Sequence, residues 1–309
     1  MIRKALIAAV LLALGTCGPA LAQKQETATA SAKLDLAKAA YTRQDYATAL
    51  RLVRPLAEQG NPTAQSMLGF VYENGQGVPR DYAEAVKWYR LASEQGDADA
   101  QFWLGFAYWG GDGVPQDYAE AVKWWRLAAE QGDTSAQEQL GGIYLHGRGV
   151  PQDYAESLKW YGKAADQGDA DAQMMLGWMY SRGKGVPQDY VESVKWYRLA
   201  AEQGYARAHI NLGEMYRDGQ GVAQDYAEAV SWFRKAADQG NAHAQYLLGM
   251  MYYFGEGVPQ DYVQAHKWSN LIAASGDADD LMFREKVAAK MTPAQIAEAQ
   301  RLASAWRKK

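Results

Sequence analysis

The sequence predicts an all-α chain, a solenoid built from 36-residue helix-turn-helix modules and closed by a C-terminal helix. Three observations predict it. Asp-Tyr pairs recur at Asp45-Tyr46, Asp81-Tyr82, Asp117-Tyr118, Asp153-Tyr154, Asp189-Tyr190, Asp225-Tyr226 and Asp261-Tyr262, always 36 residues apart. Leu-Gly pairs keep the same step from Leu68-Gly69 to Leu248-Gly249. Twenty-five of the 30 Gly fall at four positions of this unit, so an otherwise high glycine content has a positional cause. A strict period without insertions requires every module to fit its neighbour in the same way, as stacked repeats do.

The elements follow in chain order. Residues 1–22 read as an export signal: Arg3 and Lys4, the apolar run from Ala5 to Leu14, then Ala20-Leu21-Ala22 as the cleavage site. The apolar run is too short to span a bilayer, and no later segment is long and apolar enough to do so. An alternative reading is lipidation at Cys17, since Leu14-Gly15-Thr16-Cys17 resembles a lipoprotein box, although Thr16 fits poorly before the cleaved bond. Residues 23–32 read as a flexible linker. Residues 33–80 read as a degenerate capping repeat plus the first helix of the first full repeat, 81–290 as the repeat solenoid and 291–309 as the capping helix.

Within a module, the first helix opens after Gln95-Gly96 with Asp97 as N-cap and carries Ala100, Leu104 and Tyr108 on one face. Gly111-Asp112-Gly113-Val114-Pro115 ends it, because the glycines reach backbone angles closed to other residues and Pro115 blocks continuation. Asp117 and Glu120 form a capping-box pattern for the second helix, whose Ala121, Trp124 and Ala128 are expected to pack inward. Gln131-Gly132 stops that helix, and the next module begins. The recurring Trp88, Trp124, Trp160, Trp196, Trp232 and Trp268 are expected in the core. The Gly of each Leu-Gly pair is expected to let helices approach closely. At the end of the chain, Thr292-Pro293-Ala294-Gln295 combines an N-cap, a first-turn proline and a capping-box glutamine. Ile296, Ala299, Leu302 and Trp306 then form an apolar stripe, and Arg307, Lys308 and Lys309 suit the helix dipole.

The pattern Ala-x-x-x-Leu-Gly-x-x-Tyr-x-x-Gly-x-Gly-Val-Pro-x-Asp-Tyr-x-x-Ala-x-x-Trp-Tyr-x-x-Ala-Ala resembles the Sel1-like repeat, a relative of the tetratricopeptide repeat. The resemblance covers about residues 33–285, with Ala223 in place of the loop proline in one unit. It implies a right-handed superhelix that acts as an adaptor in protein complexes. Bacterial members of the family include periplasmic regulators and assembly factors for polysaccharide export or motility. Some secreted relatives staple each unit with a disulfide; this chain, with one Cys, lacks those pairs, which argues against that branch.

Charge and composition exclude other classes. The 32 Lys+Arg stand against 36 Asp+Glu, a balance unlike that of a nucleic-acid binder. The 11 Trp, 20 Tyr and 6 Phe exclude a disordered chain. His146, His209, His243 and His266 occupy four different unit positions, so no metal or cofactor is expected. The stretch from Gly177 to Gly185 resembles a phosphate loop only superficially, because its spacing is one residue too long and Gly185 stands where Ser or Thr would hold magnesium. Asp97/Asp99 and Asp169/Asp171 lack the bidentate Glu of a calcium loop and read as helix-starting residues. No nucleophile and base share a recognisable spacing, and no Gly-x-Ser-x-Gly elbow occurs, so no enzymatic activity is expected.

Function must then lie where modules differ. Residues 102, 106 and 109 sit roughly 160–240° around the helix from Ala100 and are expected to line a concave groove. In that module they are Phe102, Phe106 and Trp109. The equivalent positions two and four modules on hold Met174, Trp178 and Ser181, then Tyr246, Met250 and Tyr253. Between them lie Glu138, Gly142 and Leu145, then Ile210, Glu214 and Arg217. Apolar patches separated by polar ones suit a peptide with spaced anchors. The expected partner is a protein, a sensor or an envelope-complex component, met in the periplasm or outside the cell after cleavage near Ala22. Stacking of a cell-wall glycan on Trp109, Trp178 and Tyr253 is the alternative.

Overall fold

The computed structural model describes residues 29–273 and 277–306, so the export signal, Cys17 and the basic tail 307–309 lie outside the described residues. Among the described residues there are sixteen helices and no strand. First helices of the pairs are α1 (29–42), α3 (Pro62–Asn74), α5 (Ala98–Gly110), α7 (Thr134–His146), α9 (Ala170–Arg182), α11 (Ala206–Asp218) and α13 (Ala242–Phe254). Second helices are α2 (Tyr46–Glu58), α4 (Tyr82–Glu94), α6 (Tyr118–Glu130), α8 (Tyr154–Asp166), α10 (Tyr190–Glu202), α12 (Tyr226–Asp238) and α14 (Tyr262–Ile272). The chain ends in α15 (Ala278–Ala288) and α16 (Pro293–Trp306). Residues 29–32, read from the sequence as linker, belong to α1, where Ala30 and Leu34 pack against the cluster of Val53, Leu56 and Leu68.

The chain divides into two compact units, one running to Ala136 and including Arg148–Val150, the other made of Gln137–Gly147 and the residues from Pro151. In the first unit α3 packs on α4, α4 on α5 and α5 on α6. Its core holds Val53, Leu68, Tyr89, Leu104 and Trp125. In the second unit the same succession runs from α8 to α14, around Tyr161, Leu176, Tyr197, Leu212, Phe233 and Leu248.

Each second helix starts at an aspartate, but the capping box is only half made. The Asp117 carboxylate accepts from the Ala119 and Glu120 amides at 3.0 and 3.1 Å. Glu120 does not reach back; it pairs with Lys123 at 3.2 Å. The Asp117 amide donates instead to the Tyr108 carbonyl at 2.8 Å, across the loop from the preceding helix. This bond recurs from Asp81 to Tyr72 and from Asp225 to Tyr216, so the loop is tied at both ends. Gly113 (φ 74°) could carry no side chain, since a Cβ would lie 2.3 Å from the Tyr82 carbonyl oxygen. By contrast Thr292 and Gln295 make the full reciprocal box at the start of α16.

The core aromatic is not the one expected. Trp125 is completely buried, as is Tyr89, whereas Trp88, Trp124, Trp196 and Trp232 are only half-buried. Gly105 explains the difference: the Trp125 ring lies against its Cα, and Tyr89, Tyr161, Tyr197 and Phe233 lie in the same way on Gly69, Gly141, Gly177 and Gly213. The repeating Trp works one position away. Trp124 packs on the cluster formed by α4 and α5, closing its own pair against the preceding second helix. A lysine covers the outer ring face at Trp232, where Lys235 lies 3.7 Å from the centroid, and at Trp268, where Lys267 lies at 4.1 Å. Trp160 and Trp268 are buried.

Candidate functional site

The variable positions of the first helices form separate surfaces, each within one unit. In the first unit, Phe102, Phe106 and Trp109 are half-buried on α5, so each offers part of its ring to solvent. Their backs rest on the core: Phe106 meets Trp125 at 5.1 Å and Trp109 meets it at 5.6 Å. The Trp125 indole N–H donates to the Phe102 carbonyl at 3.0 Å, which locks the buried ring beneath the surface ones. Ring contacts continue from Phe106 to Trp103, Phe70 and Tyr41, with centroids 6.0, 5.6 and 6.0 Å apart in turn. Tyr41 also donates its hydroxyl to Gln76, fixing α1 to the next loop. A cleft lined by Tyr41, Met67, Phe70 and Trp103, with Lys38 and Asp99 among its polar residues, opens beside this row.

Sequence reasoning missed Tyr41, Phe70 and Trp103. Trp103 sits four residues after Asp99 and three before Phe106, so it shares their helix face. Phe70 stands at the position of Phe106 one module earlier, and that equivalence was the available signal. Tyr41 carried none, because the loop after α1 is four residues shorter than the loops after α3 and α5 and shifts the register.

In the second unit the expected residues divide between two clefts. Trp178, Glu214 and Arg217 come together in one cleft with Arg182, Tyr190, Asn211 and Asp218. There the Arg217 guanidinium grips Asp218 at 2.7 and 3.1 Å, and Glu214 lies 3.9 Å from the His243 imidazole. Tyr246 and Met250 line the other cleft, together with Met282, Phe283 and Lys286 of α15. Tyr253 stands behind them, 6.3 Å from Phe283 between ring centroids. Glu138 lines neither. Its side chain accepts from Gln139 at 2.9 Å, and burial, reinforced by Asp169 and Asp171, raises its pKa.

Met174 corrects the expectation of a groove residue. It is 6% exposed and packs with Val194, Tyr197, Ala208 and Leu212. Leu145 and Ile210, expected in the polar stretches of the groove, are buried as well. Angular position on the first helix therefore does not decide exposure; the neighbouring pair does.

The acidic groups with raised pKa near these surfaces engage hydroxyls or other carboxylates. Burial raises the pKa of Glu73 and Asp99, but Glu73 accepts the Tyr89 hydroxyl at 2.6 Å, and Asp99 is pushed further by Asp97 and Asp133. Tyr205 donates to Asp171, and burial together with that bond pushes its pKa up to about 12. The Tyr89 hydroxyl joins the two helices of one pair, and the Tyr205 hydroxyl joins the start of α11 to α9 of the preceding pair. Among the described residues, no three His, Cys, Asp or Glu side chains converge as metal ligands, and no helix is long and apolar enough to cross a membrane.

Comparison with known proteins agrees with this architecture. The Sel1 repeat family model matches residues 62–97, 98–133, 134–169, 170–205, 206–241 and 242–277. A Sel1 repeat protein from Oxalobacter formigenes is 33% identical with a TM-score of 0.67, over 78% of this chain and 96% of that one. The Escherichia coli protein c5321, a protective antigen present in uropathogenic strains and displaying an SLR fold, is 30% identical with a TM-score of 0.51, over 92% of this chain and 85% of its own. No curated protein matches the chain.

Proposed function

Because the chain belongs to the Sel1 repeat family, whose members generally mediate protein–protein interactions, we propose that it is a non-enzymatic exported adaptor. It holds a protein partner on the variable faces of its first helices. The observation that carries this reading is the row of half-exposed rings at Phe102, Phe106 and Trp109, pinned from behind by the buried Trp125. Rigid aromatic side chains presented in this way gain contact area while losing little conformational entropy on binding. The export signal read in residues 1–22 puts the partner in the cell envelope or beyond, with a sensor or an assembly component as the expected class.

A photo-crosslinking amino acid placed at position 106 should yield a discrete adduct in intact cells. The same group at Lys123, which is exposed on α6, should not. Phe106→Ala and Trp178→Glu should each reduce partner capture roughly tenfold or more, the usual scale for an aromatic anchor, with helical content unchanged. Capture at the wild-type level by both variants would overturn the reading.

A second reading has one observation in its favour. The cleft beside Trp178 balances Arg182 and Arg217 with Glu214 and Asp218 and adds Asn211, a set of planar polar groups around an indole that suits a sugar ring. Sedimentation with purified sacculi tests it: absence of co-pelleting removes the glycan.

A further inference from the structure

We propose that the cleft between α13 and α15 receives a basic amphipathic helix of the protein partner. This rests on the adaptor reading and names the chemistry that one of its faces recognises.

The cleft exists because the repeat ends there. In earlier pairs the glycine of Leu-Gly receives a ring from the following second helix, but the corresponding residue of α14 is Ser269. Phe283 of α15 takes that place, with its ring 3.1 Å from where a Gly249 Cβ would stand. Phe283 and Val287 anchor α15 in a core with Ala265 and Ile272. The residue beside the anchor, Met282, is left 65% exposed on the cleft wall. Tyr246 and Met250 of α13 complete an apolar floor, Tyr246 at 5.2 Å from Phe283 between centroids. Phe254, 52% exposed, extends the apolar surface beyond Tyr253. Apolar side chains left open together in this way mark an interaction surface, and methionines let such a surface adapt to a helix face.

Charge selects the occupant. Asp277, Asp279 and Asp280 rim the cleft at the start of α15. Asp277 accepts from the Asp279 and Asp280 amides at 2.9 and 3.4 Å, so the backbone engages its carboxylate. Two basic side chains, His243 and Lys286, line the same space. His243 faces Glu214, and the Lys286 ammonium lies 5.3 Å from the Tyr253 ring centroid at the far end. One end is therefore acidic and the middle apolar. An amphipathic helix with Lys or Arg at one end and apolar anchors one turn apart complements both.

The test uses the full chain and a fluorescein-labelled Lys/Leu amphipathic peptide of about four helical turns, read by anisotropy. A scrambled peptide of the same composition and a Glu/Leu peptide of the same pattern serve as comparisons. Binding should be roughly tenfold tighter than to either comparison peptide and should weaken as salt is raised. Met282→Glu and the pair Asp279→Lys/Asp280→Lys should each lower it by a similar factor. Met282→Ser, which removes the apolar contact without adding charge, should weaken it even if the charged variants disturb α15. Phe106→Ala and Trp178→Glu should leave peptide binding unchanged. Those two variants report on the adaptor reading through partner capture, so the two failures are distinguishable. Equal binding of the scrambled or Glu/Leu peptide, or wild-type affinity in Met282→Ser, overturns the proposal. So does a monomer–dimer equilibrium abolished by Met282→Glu, which would make a second copy the occupant.

Discussion

Gly105 stands under the Trp125 indole with no room for a side chain: an added Cβ would lie 2.7 Å from the ring. Gly105→Ala should therefore destabilise the protein by about 1–3 kcal/mol through overpacking. Gly162, inside α8 with nothing within 4 Å of an added Cβ, is the counter-case. Gly162→Ala should stabilise by about 0.5–1 kcal/mol, and urea unfolding of the two variants gives the opposite signs directly. The close approach at Leu-Gly was legible in the sequence, but the ring that uses it was not. Trp124 and Trp125 are adjacent aromatics, and a 36-residue period assigns both positions equally well. A second residue-scale effect comes from His209, which stands where other modules have Gln101, Gln137, Gln173 and Gln245. Those glutamines are buried, and Gln101, Gln137 and Gln173 each accept an amide from the glutamine that ends the second helix of the same module, as from Gln131 to Gln101 at 2.8 Å. His209 contacts the Ala201 carbonyl at 2.9 Å, while Gln239 of the same module donates to the Gly204 carbonyl. Burial lowers the His209 pKa below 6.5, with Lys235 adding to the effect. Below that pH the unfolded chain takes up the proton first, so the contribution of neutral His209 to stability is present above pH 6.5 and lost as pH falls through the folded-state pKa. His209→Gln should therefore gain stability relative to the wild type as pH falls from about 7.5 to 5, measured as the difference in urea midpoint.

At the scale of elements, an aspartate at each second-helix start carries the local energy, and the glutamate three residues on contributes less than the sequence pattern suggests. Asp117→Ala removes the acceptor of two amides and should cost about 1 kcal/mol. Glu120→Ala removes only an exposed pair with Lys123 and should stay within about 0.5 kcal/mol. Equal losses in thermal unfolding would show that the reciprocal box forms in solution. Tyr205 departs from the pattern in another way. It occupies the N-cap of α11 without a side-chain cap bond and spends its hydroxyl on Asp171. Helix starts were readable in advance because Asp, Gly and Pro act locally. The start of α1 was not, since residues 29–32 carry no repeat signal and are helical through contacts with α2 and α3. The separate role of α15 was hidden for the related reason that Phe283 replaces a residue from outside the period.

At the scale of the whole molecule, the period tells which residues vary but not which of them stay wet. Phe102, Met174 and Tyr246 are equivalent by position, yet only Met174 is buried, packed with Val194, Tyr197 and Ala208. The site was thus legible as a set of positions, but the period did not assign exposure, which depends on how each side chain packs on its neighbours. The same dependence on neighbours governs stability. Within each unit successive helices pack on one another, so a local loss should spread to the next element and fade. The end of the chain offers a clean place to measure this. Helix α16 packs on α14, burying Ala299 and Ala303, with Trp306 at 6.0 Å from Trp268 between centroids and its indole N–H 3.4 Å from Asp238. Ala303→Glu places a charge in that contact and should release α16. Amide hydrogen exchange should then quicken in α16 and α14, while α3, α4 and α5 keep wild-type protection. A uniform loss of protection from α3 to α16 would instead mean that the helix pairs unfold as one cooperative block, and that stability here is not a sum of neighbouring contacts.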